Sequence, residues 1–246
     1  MIAALKWLQK QRMSRRTGPR LVLYSSIASA FLLWRPYHDG ILRYGLVAAG
    51  LVFWLGLWVI LWKHRGWRLA ALAMPLILAL PFLLPGRGLD RQRLQKRYLE
   101  SMRSYEGTRY VWGGECRRGI DCSGLPRAAL RSALAEQALQ GNGRAARLWL
   151  EQWWFDTSAK AMSEGYRGFT RSTGITGDLR EIDPATLEPG DLAVTKDRRH
   201  VMIYLGDGEW IQADPAAGKV FTARAGSSLS IYLTSEVTLH RWRAME

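Results

Sequence analysis

Three apolar runs without a charged side chain occupy the first third of the 246-residue sequence, and they constrain the fold more than any other feature. They cover residues 21–34, 44–62 and 69–85. A helix needs about 17–25 apolar residues to cross a bilayer, so the second and third runs are long enough and the first is short. Little polar sequence separates the runs, which argues against helices buried in a large soluble core. We therefore predict a membrane anchor over residues 1–88 with two to three transmembrane helices.

The distribution of charge supports a membrane segment and argues against a nucleic-acid partner. The net charge is +14, but residues 1–89 carry 12 Lys and Arg against one acidic residue, whereas residues 90–246 carry 23 against 20. Basic residues that flank apolar segments mark the cytoplasmic side, whereas a nucleic-acid surface needs them on the folded domain. We expect a cytoplasmic amino terminus in contact with membrane lipid. Three crossings then place residues 89–246 on the periplasmic or extracellular side, and two crossings would reverse this side.

The remaining residues, 89–246, predict one α+β domain in which helices come first and strands follow. Apolar spacing and turn residues predict helices over 90–105, 122–139 and 144–163, with a loop over 164–180. Short alternating apolar runs bounded by glycines predict strands over 192–195, 200–205, 209–213, 219–223 and 236–242. Helices followed by a strand meander are typical of an α+β fold.

The stretch "GIDCSG", residues 119–124, places a cysteine at the start of a predicted helix. Asp121 is a suitable N-cap, and the free backbone N–H groups and dipole of a helix start favour the thiolate of Cys122. Ser123 and Gly124 are small enough to let a substrate approach, and backbone N–H groups there could stabilise an oxyanion. These patterns indicate a nucleophile, although a cysteine can also be a small buried apolar residue.

A nucleophilic cysteine needs a base, which is usually histidine. His200 opens a predicted hairpin, whereas the other three histidines lie in the membrane region or the terminal strand: His38, His64 and His240. If the hairpin loop has an odd number of residues, Asp214 lies opposite His200 and Gln212 lies diagonal to it on the same face. Either side chain could then orient the imidazole, and an even loop would exclude both.

Three motifs in this order resemble the NlpC-type cell-wall cysteine peptidases over residues 94–215. "YVWGG" precedes "DCSG", "LEPGDLAV" follows at 187–194, and "HVMIYLGDGEWIQA" begins at His200. The resemblance implies a papain-like fold with Cys122 as nucleophile, His200 as base, Gln212 as the orienting residue and Tyr110 lining the site. It further implies cleavage of peptidoglycan stem peptides, commonly between D-glutamate and a diamino acid. No metal or other cofactor is expected.

The sequence also departs from this family. The third catalytic position is commonly histidine in the family, and here it is Gln212. More chain than usual separates the cysteine from the histidine, and we expect the surplus, a helix and loop near 144–180, to flank the cleft. Two cysteines outside the cytoplasm could form a disulfide, but a bond between Cys116 and Cys122 would block the nucleophile, so we expect free thiols.

Two other functions remain open. The same Cys–His pair could serve an amidase or acyltransferase that acts on a lipid or lipopeptide, with an apolar groove formed by Trp149, Trp153 and Trp154; core packing of an amphipathic helix is the favoured explanation for these tryptophans. The domain could also be a catalytically silent scaffold that binds wall peptide, because fold alone does not guarantee chemistry. A regulator is an expected partner, since an unrestrained wall hydrolase would endanger its host.

Overall fold

The computed structural model describes residues 2–62 and 64–246, and the side chains of residues 16–62, 64–74 and 76–246. The chain divides into two compact units, Met1–Leu80 and Pro81–Glu246. Long helices form the first unit, and a mixed arrangement of helices and strands forms the second.

The N-terminal unit is helical. Its helices are α1 (Ile2–Trp34), α2 (Gly40–Leu61) and α3 (Arg65–Leu83), the last of which ends in the second unit. Helix α2 begins after Asp39, whose carboxylate accepts a hydrogen bond of 2.8 Å from the backbone N–H of Leu42. Helices α1 and α2 approach closely at two glycines, because a Cβ atom on Gly18 would lie 3.2 Å from the carbonyl oxygen of Gly56.

Two helices among the described residues are long and apolar enough to cross a membrane. Over their most apolar 18 residues, α2 has a mean hydropathy of 2.1 and α3 of 1.7. They contain most of the predicted spans 44–62 and 69–85. Residues 21–34 form the second half of α1, which is not one of these two helices. Length and composition thus support two of the three predicted spans.

The C-terminal unit has a mixed helix and sheet fold, as predicted. Its helices are α4 (Arg91–Arg103), α5 (Gly124–Leu139), α6 (Gly143–Trp154) and α7 (Ala159–Ser163). A two-stranded sheet pairs β1 (Glu115–Cys116) with β2 (Gly119–Ile120). The main sheet contains β3 (Thr170–Asp178), β4 (Leu192–Thr195), β5 (Val201–Gly206), β6 (Glu209–Asp214), β7 (Lys219–Arg224) and β8 (Glu236–Trp242). All its neighbours are antiparallel, in the order β3-β8-β4-β5-β6-β7.

The central strands are buried along almost their whole length, so both faces of the sheet are covered. Leu192, Val201 and Ile203 on one face join a core that includes residues of α4 and α5. Met202 and Trp210 on the other face join a second core that the connecting segments cover. Alternate residues of a strand point to opposite faces, so each short strand contributes to both cores.

Two predictions of secondary structure are wrong. The predicted loop over 164–180 contains β3, which pairs with β8 at the edge of the sheet. Its glycines, small polar residues and register shift hide the alternation by which a strand is recognised. The predicted helix over 144–163 is interrupted after Trp154, because Phe155 has an extended backbone and Ser158 caps the separate helix α7.

Candidate active site

The position of Cys122 depends on a close contact between a glycine-rich loop and the first turn of α5. A Cβ atom on Gly124 would lie 2.2 Å from the carbonyl oxygen of Gly114, and one on Gly114 would lie 2.5 Å from the carbonyl oxygen of Gly119. Neither position has room for a side chain. The "GGEC" segment therefore packs directly against the helix start that carries the cysteine.

Asp121 holds this helix start, although the N-cap residue is Ser123 and not Asp121 as predicted. One carboxylate oxygen accepts hydrogen bonds from the backbone N–H of Gly124 at 2.6 Å and from the hydroxyl of Ser123 at 3.0 Å. The other oxygen accepts the backbone N–H of Gly113 at 2.7 Å, which ties the loop to the helix. The helix begins at Gly124 rather than at Cys122 as predicted. Asp121, Ser123 and Gly124 thus support the cysteine, and their predicted contact with substrate stays a prediction.

A buried ion cluster holds the same loop from the other side. Glu115 of β1 contacts the guanidinium groups of Arg127 and Arg131 on α5, each at 2.5 Å. The side chains of Glu115 and Arg127 are 4% and 3% exposed. Moving the loop away from α5 would leave a buried charge without its partner, which is strongly destabilising. The cluster therefore fixes the loop to α5.

The sulfur of Cys122 lies beside the backbone that carries His200. The thiol donates to the carbonyl oxygen of Arg199, with the sulfur and oxygen 3.7 Å apart. Burial, with a further contribution from the charge of Asp121, raises the pKa of Cys122 to about 12, although the backbone N–H groups of Val201 and Ser123 favour the thiolate. The thiol is therefore protonated at neutral pH and needs a base before it can attack.

His200 is suited to act as this base. Its Nε2 lies 2.6 Å from Oε1 of Gln212, and an amide oxygen can only accept, so Nε2 carries the proton and the lone pair is on Nδ1. Burial lowers the pKa of His200 to about 4, against the opposing effects of the bond to Gln212 and the charges of Asp214 and Asp197. At neutral pH the imidazole is uncharged and can take a proton.

The hairpin register and the partners of Asp214 explain why Gln212 reaches the imidazole. The loop between β5 and β6, residues 207–208, has an even number of residues, but a register shift between Tyr204 and Gly206 offsets it, so that Ile203 pairs with Ile211. Gln212 therefore lies on the same face as His200, and the prediction that an even loop would exclude it is wrong. The carboxylate of Asp214 is occupied by the backbone N–H groups of Ala216 and Ala217 and by the hydroxyl of Ser230.

Two tyrosines lie in this region, and only one of them was predicted. Tyr110 packs against the core that contains Cys122, and burial, with a further contribution from the charge of Cys122, raises the pKa of Tyr110. Tyr232 stacks on the imidazole of His200, with ring centroids 3.7 Å apart and planes 12° apart. It follows His200 by 32 residues in a segment without any motif, so the sequence contained no signal for it.

Part of the expected insertion lies next to the site. Glu164, just after α7, pairs with Arg198 in the turn before His200 at 3.1 Å. Helix α6 packs against α5, with Trp149 against the main core. Trp153 and Trp154 contact each other with ring centroids 6.1 Å apart. Trp149 thus packs against the core, as the favoured explanation of the tryptophans predicts, and does not form a lipid groove.

Both cysteines are free, with Cys116 on β1 and Cys122 buried. In the part of the chain that the structure describes, no cluster of three or more His, Cys, Asp or Glu side chains could hold a metal ion. A buried thiol just before a helix, whose sulfur contacts the residue before a histidine held by a side-chain amide, is an arrangement suited to a cysteine hydrolase.

The comparison with family models gives the family. The model described as the NlpC/P60 family matches residues 107–238, more than half of the chain, and the chain therefore belongs to this family. This confirms the resemblance read from the three motifs.

Solved structures of the same family are similar to the chain. They include the peptidoglycan hydrolase RipB of Mycobacterium tuberculosis, at 23% identity over 61% of this chain and 65% of that chain, with a TM-score of 0.38. An NlpC/P60 family protein from Bacillus cereus has 18% identity over 65% of this chain and 41% of that chain, with a TM-score of 0.39. The P60 domain of an antigen from M. avium subspecies paratuberculosis has 20% identity over 64% of this chain and 99% of that chain, with a TM-score of 0.38. The chain thus spans less than two thirds of the first two proteins. The search of curated proteins found no match.

Proposed function

We propose that this protein is a membrane-anchored thiol hydrolase that cleaves amide bonds in the stem peptides of peptidoglycan. One observation carries the proposal: the thiol of Cys122 contacts the residue before His200, and Gln212 holds Nε2 of the imidazole at 2.6 Å, which leaves the lone pair of the ring on Nδ1. Membership of the NlpC/P60 family supports the same chemistry.

In the proposed reaction, Nδ1 of His200 takes the thiol proton as the sulfur of Cys122 attacks the carbonyl carbon of the substrate amide. The backbone N–H groups of Cys122 and Ser123, just before α5, stabilise the negative oxygen that forms. The C–N bond then breaks, the amine leaves with the proton held by His200, and a thioester remains on Cys122. Water, deprotonated by the same imidazole, hydrolyses the thioester and restores the free thiol.

For the substrate, we propose the bond between D-glutamate and a diamino acid that is commonly cleaved by this family. Tyr110, which packs against the core that contains Cys122, is the residue we expect to contact the peptide. Ser123 would contribute its backbone N–H, whereas Asp121 and Gly124 would contribute by holding the helix start, because their backbone N–H groups bond to Gly114 and to the Asp121 carboxylate.

For the location, we propose three membrane crossings, with residues 21–34 of α1 as the first and the hydrolase domain outside the cytoplasm. The excess of basic residues before residue 90 supports a cytoplasmic amino terminus. Alkaline phosphatase fused after residue 246 tests this, because that enzyme needs an oxidising compartment to fold. An active fusion supports three crossings, and an inactive fusion that is made in normal amount would place the domain in the cytoplasm.

The hydrolase proposal is tested with the purified full chain in detergent, incubated with peptidoglycan, with products identified by mass spectrometry. We expect new muropeptides with cut stems from the wild type and from Cys116→Ser, and none from Cys122→Ala. Unchanged muropeptides from a folded wild type would contradict the proposal. A cellular role that survives Cys122→Ala would favour the scaffold.

A second candidate is an amidase or acyltransferase for a lipid-linked peptide, and the exposed side chains near the site favour it. Trp112, in the loop that bears Tyr110, is 77% exposed, and Leu229 and Ile231, close to Tyr232, are 67% and 74% exposed. Exposed apolar side chains near a site can mark contact with an apolar group. Cleavage of a lipid-linked stem peptide, with no cleavage of lipid-free muropeptides, would select this candidate.

A further inference from the structure

Tyr232 covers one face of the imidazole of His200. The two rings are nearly parallel, with planes 12° apart and centroids at 3.7 Å, which is van der Waals contact. Tyr232 lies on a short 3-10 turn, Ile231–Thr234, in the connection between β7 and β8. Gln212 holds the edge of the same ring through Nε2. The two side chains together therefore define the plane of the imidazole.

The turn that carries Tyr232 is tied to the strand that carries Gln212. The hydroxyl oxygen of Ser230 accepts the backbone N–H of Tyr232 at 3.3 Å, and the hydroxyl donates to the carboxylate of Asp214. Asp214 is fully buried at the end of β6, where the backbone N–H groups after it hold its other oxygen. Leu233, also fully buried, anchors the turn in the second core.

We propose that Tyr232 is a positioning residue, which holds the imidazole of His200 in the orientation for proton transfer and keeps water from one ring face. Asp214 and Ser230 act through it, because they fix the turn on which it lies. This assignment rests on the proposed hydrolase function of Cys122 and His200.

The stacked ring has a measurable electrostatic effect. Exclusion of water disfavours the charged imidazolium, and burial is the largest cause of the lowered pKa of His200. The charged or titratable groups around the imidazole are Asp197 before β5, Asp214 on β6, Cys122 just before α5 and Tyr232 itself. Replacing the tyrosine removes none of the other three, and Tyr232→Phe separates the hydroxyl from the ring, so a change in the pKa of His200 in Tyr232→Leu alone reports the loss of the stacked cover.

The test measures the pKa of His200 by NMR of the full chain in detergent micelles, with histidines labelled at Cε1 and the His200 signal assigned by its absence in His200→Gln. We expect Tyr232→Leu, which keeps an apolar side chain but loses the flat ring, to raise this pKa by about one unit or more, towards that of an exposed histidine. Tyr232→Phe keeps the ring and should restore the wild-type value. Ser230→Ala should raise the pKa in the same direction, because it releases the turn without changing the ring.

The matched control is Tyr166→Leu. Tyr166 contacts Phe169 edge to face, with ring centroids 6.4 Å apart, and its loss should leave the pKa of His200 unchanged. In the hydrolysis assay, Tyr232→Leu should lower kcat by about tenfold or more with little change in KM, since proton transfer rather than binding is affected.

An unchanged pKa in a folded Tyr232→Leu variant would overturn the proposal, and so would an equal change in Tyr166→Leu. A wild type that cleaves nothing would instead overturn the proposed function. The NMR titration still decides the role of Tyr232 in that case, because it needs no substrate.

Discussion

Replacing Gln212 with leucine is expected to slow hydrolysis strongly while the fold is kept. Leucine has a similar size but cannot accept the proton of Nε2, which Gln212 accepts at 2.6 Å. His200 and Gln212 are almost fully buried, so no water can replace the lost oxygen. A buried donor left without a partner costs about 1–3 kcal/mol. If the cost falls on the transition state, in which the ring becomes charged, kcat falls about 5- to 150-fold.

The assay is the initial rate of stem-peptide cleavage by the full chain, with kcat and KM determined separately. Gln212→Glu is the informative partner variant, because it keeps an acceptor oxygen and adds a negative charge that stabilises the imidazolium. We expect it to retain more activity than the leucine variant and to move the acidic limb of the pH profile to higher pH.

A matched control comes from the other buried histidine of the domain. His240 lies on β8, with its Nε2 3.0 Å from the hydroxyl of Thr238. Thr238→Val removes that contact and should leave kcat unchanged. The reasoning would be refuted if folded Gln212→Leu kept kcat within about twofold of the wild type, which is below the smallest expected loss, or if Thr238→Val lost as much.

Three further predictions concern stability of the full chain in detergent. Gly124→Ala should lower Tm by several degrees, because its Cβ atom would meet a carbonyl oxygen at 2.2 Å, whereas Gly88→Ala, with open space around it, should not; equal melting curves would contradict the close contact. Glu115→Gln should lower the free energy of unfolding in urea by about 3–5 kcal/mol, whereas Glu236→Gln, which breaks an exposed pair, should cost below about 1 kcal/mol. Because the pKa of His200 falls from 6.5 to about 4 on folding, the unfolded chain binds more protons between these values. The contribution of His200 to the free energy of unfolding should therefore be fully present above pH 6.5 and should be lost as the pH falls towards 4. His200→Gln should remove this part of the pH dependence, and an identical pH dependence in the variant would refute the prediction.

The sequence predicted the elements whose patterns are local. The central strands begin and end within about a residue of prediction, because their residues alternate and glycines bound them. The family motifs predicted the relation of His200 to Gln212, whereas the loop rule failed, because the loop is even and a register shift between Tyr204 and Gly206 keeps the two residues on one face. The motifs around Cys122 and His200 were sufficient to predict the family.

What the sequence could not predict depends on contacts between distant segments. Strand β3 is recognisable only by its pairing with β8, because its own residues are small, polar and rich in glycine. The environment of Asp214 depends on Ser230, and that of His200 depends on Tyr232, each contributed by a connection whose path is set by the order of the strands. No periodicity within a short window contains this information.

The strand order explains how a tyrosine comes to lie over the histidine. Strands β7 and β8 are consecutive in the chain but stand four positions apart in the sheet, so the connection 225–235 has to travel across the sheet. Four spacings amount to about 19 Å. The four antiparallel steps make β7 and β8 run in the same direction, so the connection must also return along about 20 Å of strand, which gives a direct span of about 28 Å. Eleven extended residues reach about 36 Å. The connection therefore crosses the face of the sheet that carries the second core, and its turn places Tyr232 over the histidine on the way. A connection routed without this turn would leave the same strands in place with an imidazole open to solvent.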